Sequence, residues 1–231
     1  MTPPYTGPDA RRIREMFASI SGRYDRANQV LSAGVHHLWR KQTVSWADAK
    51  RGDRVLDCAT GTGDLAIAFA EAGCVVTGTD FVPEMLDHAR VKAPAIRFET
   101  ADVTALPYAD SSFDVSSISF GIRNVNDPGK GVAELSRVVR SGGRVMILEF
   151  GQPPNRLFRR LYDFYRIRIL PRLGAAITGK RDAYEYLERS SAKFPCGDDF
   201  AQLMRDHGDF IDVQHRTLTF GIAYLYRGVK R

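Results

Sequence analysis

The chain has 231 residues, 44% of them hydrophobic and 26% charged, with a formal net charge of +6. That length suits one full α/β domain and is short for two, and the composition is that of an ordinary globular protein. Cys58, Cys74 and Cys196 are odd in number and form no CxxC pair, which argues against a disulfide framework or a zinc knuckle and predicts buried thiols with no metal.

The opening stretch MTPPYTGPDARRIRE has no apolar core, so no secretory signal is expected, and no apolar window reaches spanning length; the expectation is a cytoplasmic protein. Residues 8 to 21 place Ile13, Met16, Phe17 and Ile20 on one face of a helix that ends near Gly22. Polar and aromatic residues alternate from 23 to 39, with a short helix predicted over 27 to 31 and a break at Gly34. A further helix over 38 to 49 leads into the first strand.

Residues 55 to 80, VLDCATGTGDLAIAFAEAGCVVTGTD, carry the strongest signal. A short apolar strand stops on Asp57; Gly61, Thr62 and Gly63 make a turn whose glycines allow positive φ and close approach of a ligand. Leu65, Ala66, Phe69 and Ala70 follow at helical spacing, Gly73 closes the helix, and a second strand stops on Asp80, where an acid accepts the hydroxyls of a ribose. This is a nucleotide site. Gly61, Gly63 and Ala66 also fit a dinucleotide fingerprint, so a NAD-dependent dehydrogenase is one rival reading. Asp57 opposes it, because an acid there repels a pyrophosphate and attracts the cationic amino-acid end of S-adenosylmethionine.

Pro83 opens the next helix, which continues to Val91. Strands are predicted over 96 to 100, 113 to 120 and 144 to 150, with a helix over 128 to 139 and a turn at Gly142 and Gly143 before the last of them. The alternation implies a doubly wound, mostly parallel sheet with ligands at the carboxyl ends of its strands, here Asp57, Asp80, 100 to 103, 119 to 124 and Glu149. Residues 211 to 219 and 222 to 230 read as an antiparallel pair at the sheet edge.

Residues 155 to 174, NRLFRRLYDFYRIRILPRLG, hold six arginines and one acid. Leu157, Phe158, Leu161, Phe164 and Tyr165 follow helical periodicity between them, the pattern of a helix in a membrane interface; the alternative is a helix covering the sheet or a homodimer contact.

Three stretches resemble the ubiquinone/menaquinone biosynthesis C-methyltransferase family, within the class I S-adenosylmethionine-dependent methyltransferases. Tyr24, Asp25, Asn28, Ser32, Gly34, His36 and Trp39 match YDxMNxxxSxGxHxxW; residues 119 to 125, SFGIRNV, are similar to SFGLRNV; residues 137 to 150, RVVRSGGRVMILEF, are similar to RVLKPGGxxxxLEFS. Ala27 for Met, Arg140 and Ser141 for Lys and Pro, and Gly151 for Ser depart from the pattern. The resemblance implies a Rossmann-like seven-stranded domain over 51 to 231, a helical insertion at about 153 to 207, and an N-terminal helical lid or substrate segment over 1 to 50. It implies cofactor contacts at Thr62, Asp80, Asp102, Val103 and Ser119. Tyr24, Asn28, His36 and Trp39 are candidate substrate contacts; the alternative is Tyr24 and Trp39 as core aromatics and His36 as a packed or solvent histidine. The implied reaction is C-methylation of a polyprenyl quinol, demethylmenaquinol or the corresponding benzoquinol, with peripheral contact at the inner membrane face and no nucleic-acid partner.

For that reaction Arg123 is the candidate to stabilise a ring phenolate, with Asn124 holding a water. The bland reading of both is a loop salt bridge and a turn amide. His36 and Asp25 are candidate bases. A methyltransferase acting on RNA or DNA bases is a further rival, opposed by SFGIRN where an [ND]PP[YF] loop would stand; Thr2-Pro3-Pro4-Tyr5 mimics that tetrapeptide at the wrong end. A non-enzymatic cofactor-binding scaffold is the third rival.

Overall fold

The computed structural model describes residues 7–231, so the Thr2-Pro3-Pro4-Tyr5 tetrapeptide lies outside the described residues. The chain begins with three helices, α1 (Ala10–Ile20), α2 (Tyr24–Leu31) and α3 (Val35–Ala47). Asp9 caps α1 by accepting from the Arg12 amide. Both α2 and α3 start three residues earlier than the apolar pattern predicts. A left-handed Gly34 reverses the chain between them, as expected.

The alternating segment follows as β1 (Arg54–Cys58), α4 (Asp64–Glu71), β2 (Val75–Asp80), α5 (Pro83–Lys92), β3 (Arg97–Thr100), β4 (Phe113–Ser119), α6 (Pro128–Arg137) and β5 (Val139–Phe150). Proline opens α5 and α6 at the one point where its missing N–H costs nothing. β5 starts well before the Gly142–Gly143 turn because Val139 already pairs with Phe113. After an all-helical stretch, β6 (Phe210–Leu218) and β7 (Ala223–Lys230) close the chain.

Among the described residues seven strands form one sheet in the order β3-β2-β1-β4-β5-β7-β6. β1 to β5 pair in parallel, and β7 runs antiparallel to both β5 and β6. The strand order reverses between β1 and β4, which opens a crevice at their carboxyl ends. Adjacent side chains on a strand face opposite ways, and the core obeys this. Leu56, Ile118 and Ile147 pack with Leu135 of α6 on one face. Val55, Val115 and Met146 pack with Trp46, Phe69 and Leu86 on the other. Trp46 and Ala47 put α3 into the sheet's own core, so within residues 1 to 50 the roof proper is α1 and α2.

That roof is shared. Ile20 and Ala27 pack with Leu170, Ala183 and Tyr184 from the helical insertion, which runs as α7 (Arg156–Phe164), α8 (Leu170–Thr178), α9 (Arg181–Lys193) and α10 (Asp198–His207). The helix expected over 155 to 174 is broken by a π-helical turn at Tyr165–Ile169. Pro171, near the start of α8, cannot donate an N–H, and its ring crowds the carbonyl of Ile167, which loosens the winding there. Cys58 and Cys74 are buried as expected, and Cys196 is half-buried.

Candidate active site

The crevice is built by two turns pressed together. After β1 the chain turns at Ala59 (φ 45°), Gly61 (φ 57°) and Gly63 (φ 86°), and after β4 at Phe120 (φ 55°). A Cβ on Gly121 would fall 2.6 Å from that of Ala59, so the turns touch with no room for a side chain between them. Left-handed Ala59 and Phe120 cost on the order of 1 kcal/mol each, strain of the kind that collects at sites of function.

Asp80 is the anchor of the crevice. Its Oδ2 accepts from the Gly61 amide (2.8 Å) and its Oδ1 from the Val82 amide (2.9 Å), which ties the glycine turn to the tip of β2. Burial raises its pKa to about 6 despite these bonds. Asp102 lines the same cleft, and both bonds from Thr104, backbone and side chain at 2.8 Å, fall on its Oδ1. Val82, Met85 and Val103 supply apolar walls, and Gly61, Ser119 and Asn124 complete the lining. Among the described residues of this cleft, of about 80 Å³, there is neither lysine nor arginine. A pyrophosphate would face carboxylates with no cation; a nucleoside meets acceptors for its hydroxyls and amino group and apolar walls for its rings.

Three expected cofactor residues sit behind the cleft rather than on its wall. Asp57 accepts from Thr60 Oγ1 (2.6 Å) and Ser117 Oγ (2.7 Å), is 1% exposed, and has its pKa raised to about 6 by burial. It braces the turn on which the expected cationic ligand end would lie. Thr62 donates to Asp25 Oδ1, and Gly63 starts α4 with its Cα packed on Phe98. Asp25 also pairs with Lys92 at 2.7 Å, so it clasps α2 to the glycine turn and is committed where a base would need to be free.

A second, larger cavity of about 510 Å³ lies under the roof. Phe17, Tyr24 and Phe120 line both spaces and form the partition between them. The cavity is apolar, walled by Met16, Ile20, Leu31, Phe150 and Tyr162 among others, and all four expected substrate residues, Tyr24, Asn28, His36 and Trp39, line it. The His36 ring shares a hydrogen bond with Ser32 Oγ, and burial beside Arg40 holds its pKa down to about 4, so it is uncharged at neutral pH. Trp39 donates to Thr219 Oγ1 (2.9 Å).

Arg123 reaches this cavity as a paired cation. It is 4% exposed, its Nη1 lies 2.8 Å from Glu149 Oε1, and its guanidinium sits 5.3 Å over the Phe150 ring. Desolvation raises the pKa of Glu149, and the adjacent guanidinium opposes the rise. The buried salt bridge weighed from the sequence is therefore present, and it leaves the charge on the cavity wall. Asn124 turns to the cleft, accepting from Tyr186 OH (3.0 Å) and donating to Phe120 O (3.3 Å).

Sequence reasoning missed Arg40, which lines the cavity from α3 at 8% exposure and pairs with Asp64 Oδ2 at 2.8 Å. His36, Trp39, Arg40 and Thr43 follow one another at helical spacing and are all buried, a signal that a face of α3 turns inward.

Solved structures share the fold at low identity. An S-adenosylmethionine-dependent methyltransferase of Thermotoga maritima superposes with a TM-score of 0.69 at 19% identity, over 94% of this chain and 99% of that one. The [4+2]-cyclase SpnF gives 0.65 at 14%, over 98% and 97%, so the fold alone does not fix the reaction. The sequence relatives are more specific. The chain is 55% identical over 227 residues to a ubiquinone/menaquinone biosynthesis C-methyltransferase of Bdellovibrio bacteriovorus, covering 96% of this chain and 97% of that relative. It is 47% identical to a demethylmenaquinone methyltransferase of Deinococcus radiodurans, over 95% and 92%. The model of the ubiE/COQ5 methyltransferase family matches residues 6–230, so the cleft, the partition and the apolar cavity are those of a chain that belongs to this family.

Proposed function

We propose that the protein transfers a methyl group from S-adenosylmethionine to a ring carbon of a polyprenyl quinol, demethylmenaquinol or the matching benzoquinol. The single observation that carries this is the pairing of a carboxylate-bearing nucleoside cleft, without lysine or arginine among its described residues, with an apolar cavity across one aromatic partition. S-adenosylmethionine, when bound, supplies an electrophilic methyl group on a sulfonium. Asp80 and Asp102 hold the sugar and the purine, with Gly61, Val103 and Ser119 along the edge; Asp57, Thr62 and Gly63 keep the turn in shape. Residues 1 to 50 form the lid and substrate segment, with α1 and α2 as its cover and α3 as its attachment to the sheet, and 51 to 231 the methyltransferase domain with its insertion at about 153 to 207.

The ring carbon becomes strongly nucleophilic when a neighbouring hydroxyl ionises, which costs a phenol of pKa near 10 about 4 kcal/mol at pH 7. Arg123, fixed by Glu149, stabilises the phenolate as its charge develops. It does not take the proton, since a guanidinium stays charged in water and in proteins. Asn124 holds at the partition a water that takes the hydroxyl proton and, after methyl transfer, the proton displaced from the ring carbon. Neutral His36 accepts a hydrogen bond from a ring hydroxyl, and Tyr24, Asn28 and Trp39 pack the ring. The test is the purified protein with labelled methyl donor and quinol extract from a methylation-deficient strain. Product one methyl heavier in the ring is expected; label in RNA, or none in lipid, would overturn the reading.

We further propose that α7 rests on an anionic bilayer at the inner membrane face. Among the described residues no helix is long and apolar enough to cross a membrane. Phe158, Tyr162 and Tyr165 line the cavity, whereas Leu157 is 78% exposed, Leu161 67% and Phe164 59%. Exposed Arg156, Arg160 and Arg168 flank that stripe, which suits anionic headgroups and repels a second copy of the same face. Leu161 and Phe164 also edge the cavity, so a prenyl tail leaves it toward the stripe. Co-sedimentation with anionic vesicles at low salt is expected, falling at least about tenfold in Leu157→Asp/Leu161→Asp. Absence of binding, or a stable dimer that buries the stripe, would refute this.

A further inference from the structure

The cleft provides for the purine and sugar of the proposed donor and leaves its amino-acid end, an ammonium and a carboxylate, without partners. No described residue lining the cleft is a cation, and both oxygens of Asp57 are engaged by Thr60 and Ser117. Two cations stand at the start of α4: Lys92 Nζ, which donates to Thr62 Oγ1 (3.3 Å), and the buried Arg40 of α3, which pairs with Asp64. Arg40 Nη1 lies 2.8 Å from Asp64 Oδ2 as an ion pair, and both Nη1 and Nε of Arg40 are buried with no hydrogen bond of good geometry among the described residues. A guanidinium offers five N–H donors, and a buried donor without an acceptor is costly, so this arrangement asks for one more oxygen.

The surroundings say where that oxygen would lie. Tyr24 of the partition sits 4.0 Å from the point a Cβ on Gly61 would occupy, and Arg40 Nη1 lies 2.8 Å from Asp64, the first residue after the turn. The guanidinium therefore stands over the turn at the amino terminus of α4, whose Gly63 N-cap offers no side chain. Asp64, the first residue of that helix, is shared by Arg40 and Lys92, so the cation is held in place from the core.

We infer that Arg40, braced by Asp64, binds the carboxylate of the donor's amino-acid end, an inference that rests on the proposed donor. Arg40 thereby joins the N-terminal segment to the ligand, and recognition of the amino-acid portion is a property of α3 rather than of the sheet. A planar two-pronged donor facing a carboxylate gives the short, charge-assisted bonds that discriminate between otherwise similar nucleosides.

Calorimetry on the full chain with two thioethers tests this: S-adenosylhomocysteine and methylthioadenosine share the adenosine and differ in the amino-acid end. The native protein is expected to prefer S-adenosylhomocysteine. Arg40→Met should weaken it about tenfold or more while methylthioadenosine stays within about twofold, and Arg40→Lys should recover part of the loss. Unchanged preference in Arg40→Met, or equal loss for both ligands, overturns the inference. Unchanged preference with a raised KM for quinol also overturns it, placing the cation on a ring oxygen of the substrate instead. If the native protein binds neither thioether, the donor reading itself fails.

Discussion

Arg123→Ala is expected to leave the affinity for S-adenosylmethionine unchanged while lowering turnover about 100-fold, the scale seen when one electrostatic partner of a developing anion is lost. It should also lower folding stability by about 3 kcal/mol, because Glu149, 1% exposed, is left buried without its cation. The two effects separate in the double variant Arg123→Ala/Glu149→Ala. Removing both charges recovers much of the stability in a urea titration, since no uncompensated ion remains, and recovers none of the turnover. Turnover that returns with stability would show that Arg123 only holds the fold, and the phenolate role would be lost.

The second large effect falls on Asp80. Asp80→Ala should abolish measurable binding of S-adenosylmethionine, at least about 100-fold by calorimetry, because it removes the ribose acceptor and frees the Gly61 amide that shapes the turn. A pH dependence accompanies it. The carboxyl group titrates near 6 in the folded protein against an ordinary value of 3.8. A raised acid holds its proton longer folded than unfolded, so its contribution to stability declines as pH rises from about 4 to about 6 and is constant above. Ligand affinity moves the other way through the same window, because ribose hydroxyls donate to the ionised form. Affinity in the native protein should rise toward pH 7, and Asp80→Asn should flatten the rise. Affinity independent of pH between about 5 and 7 would sink this assignment.

Most of the sheet was legible, for a physical reason: β1, β2 and the later half of β5 are apolar, β-branched runs that end near an acid, and a buried parallel strand needs little else. The antiparallel pair was readable from its turn. Boundaries failed where tertiary pairing decided them, as at Val139, which joins β5 through Phe113 across a turn that looks like a strand start. The break inside the insertion was hidden because its apolar period runs on unbroken, and only Pro171, four residues beyond Ile167, carried the signal. In the site, the position of Asp80 at the tip of β2 was legible from the strand pattern, and Asp102 follows β3 by two residues, both at the carboxyl edge of the sheet. The bonds of Asp57 were not legible, because Ser117 comes from the neighbouring β4 and Thr60 reaches back only once the turn has folded. The Arg123–Glu149 and Arg40–Asp64 pairs join segments 26 and 24 residues apart, and spacing alone holds no trace of them.

The partition of Phe17, Tyr24 and Phe120 has two members from the roof and one from the sheet. On the proposed reading a water-soluble reagent and a greasy one arrive from opposite sides, and they meet only where those three rings leave a gap. Lifting α1 and α2 would merge both chambers into an open trough while the strands kept their register. Both chambers thus owe their walls to α1 and α2 as much as to the strands, and the sheet by itself is a half-built vessel.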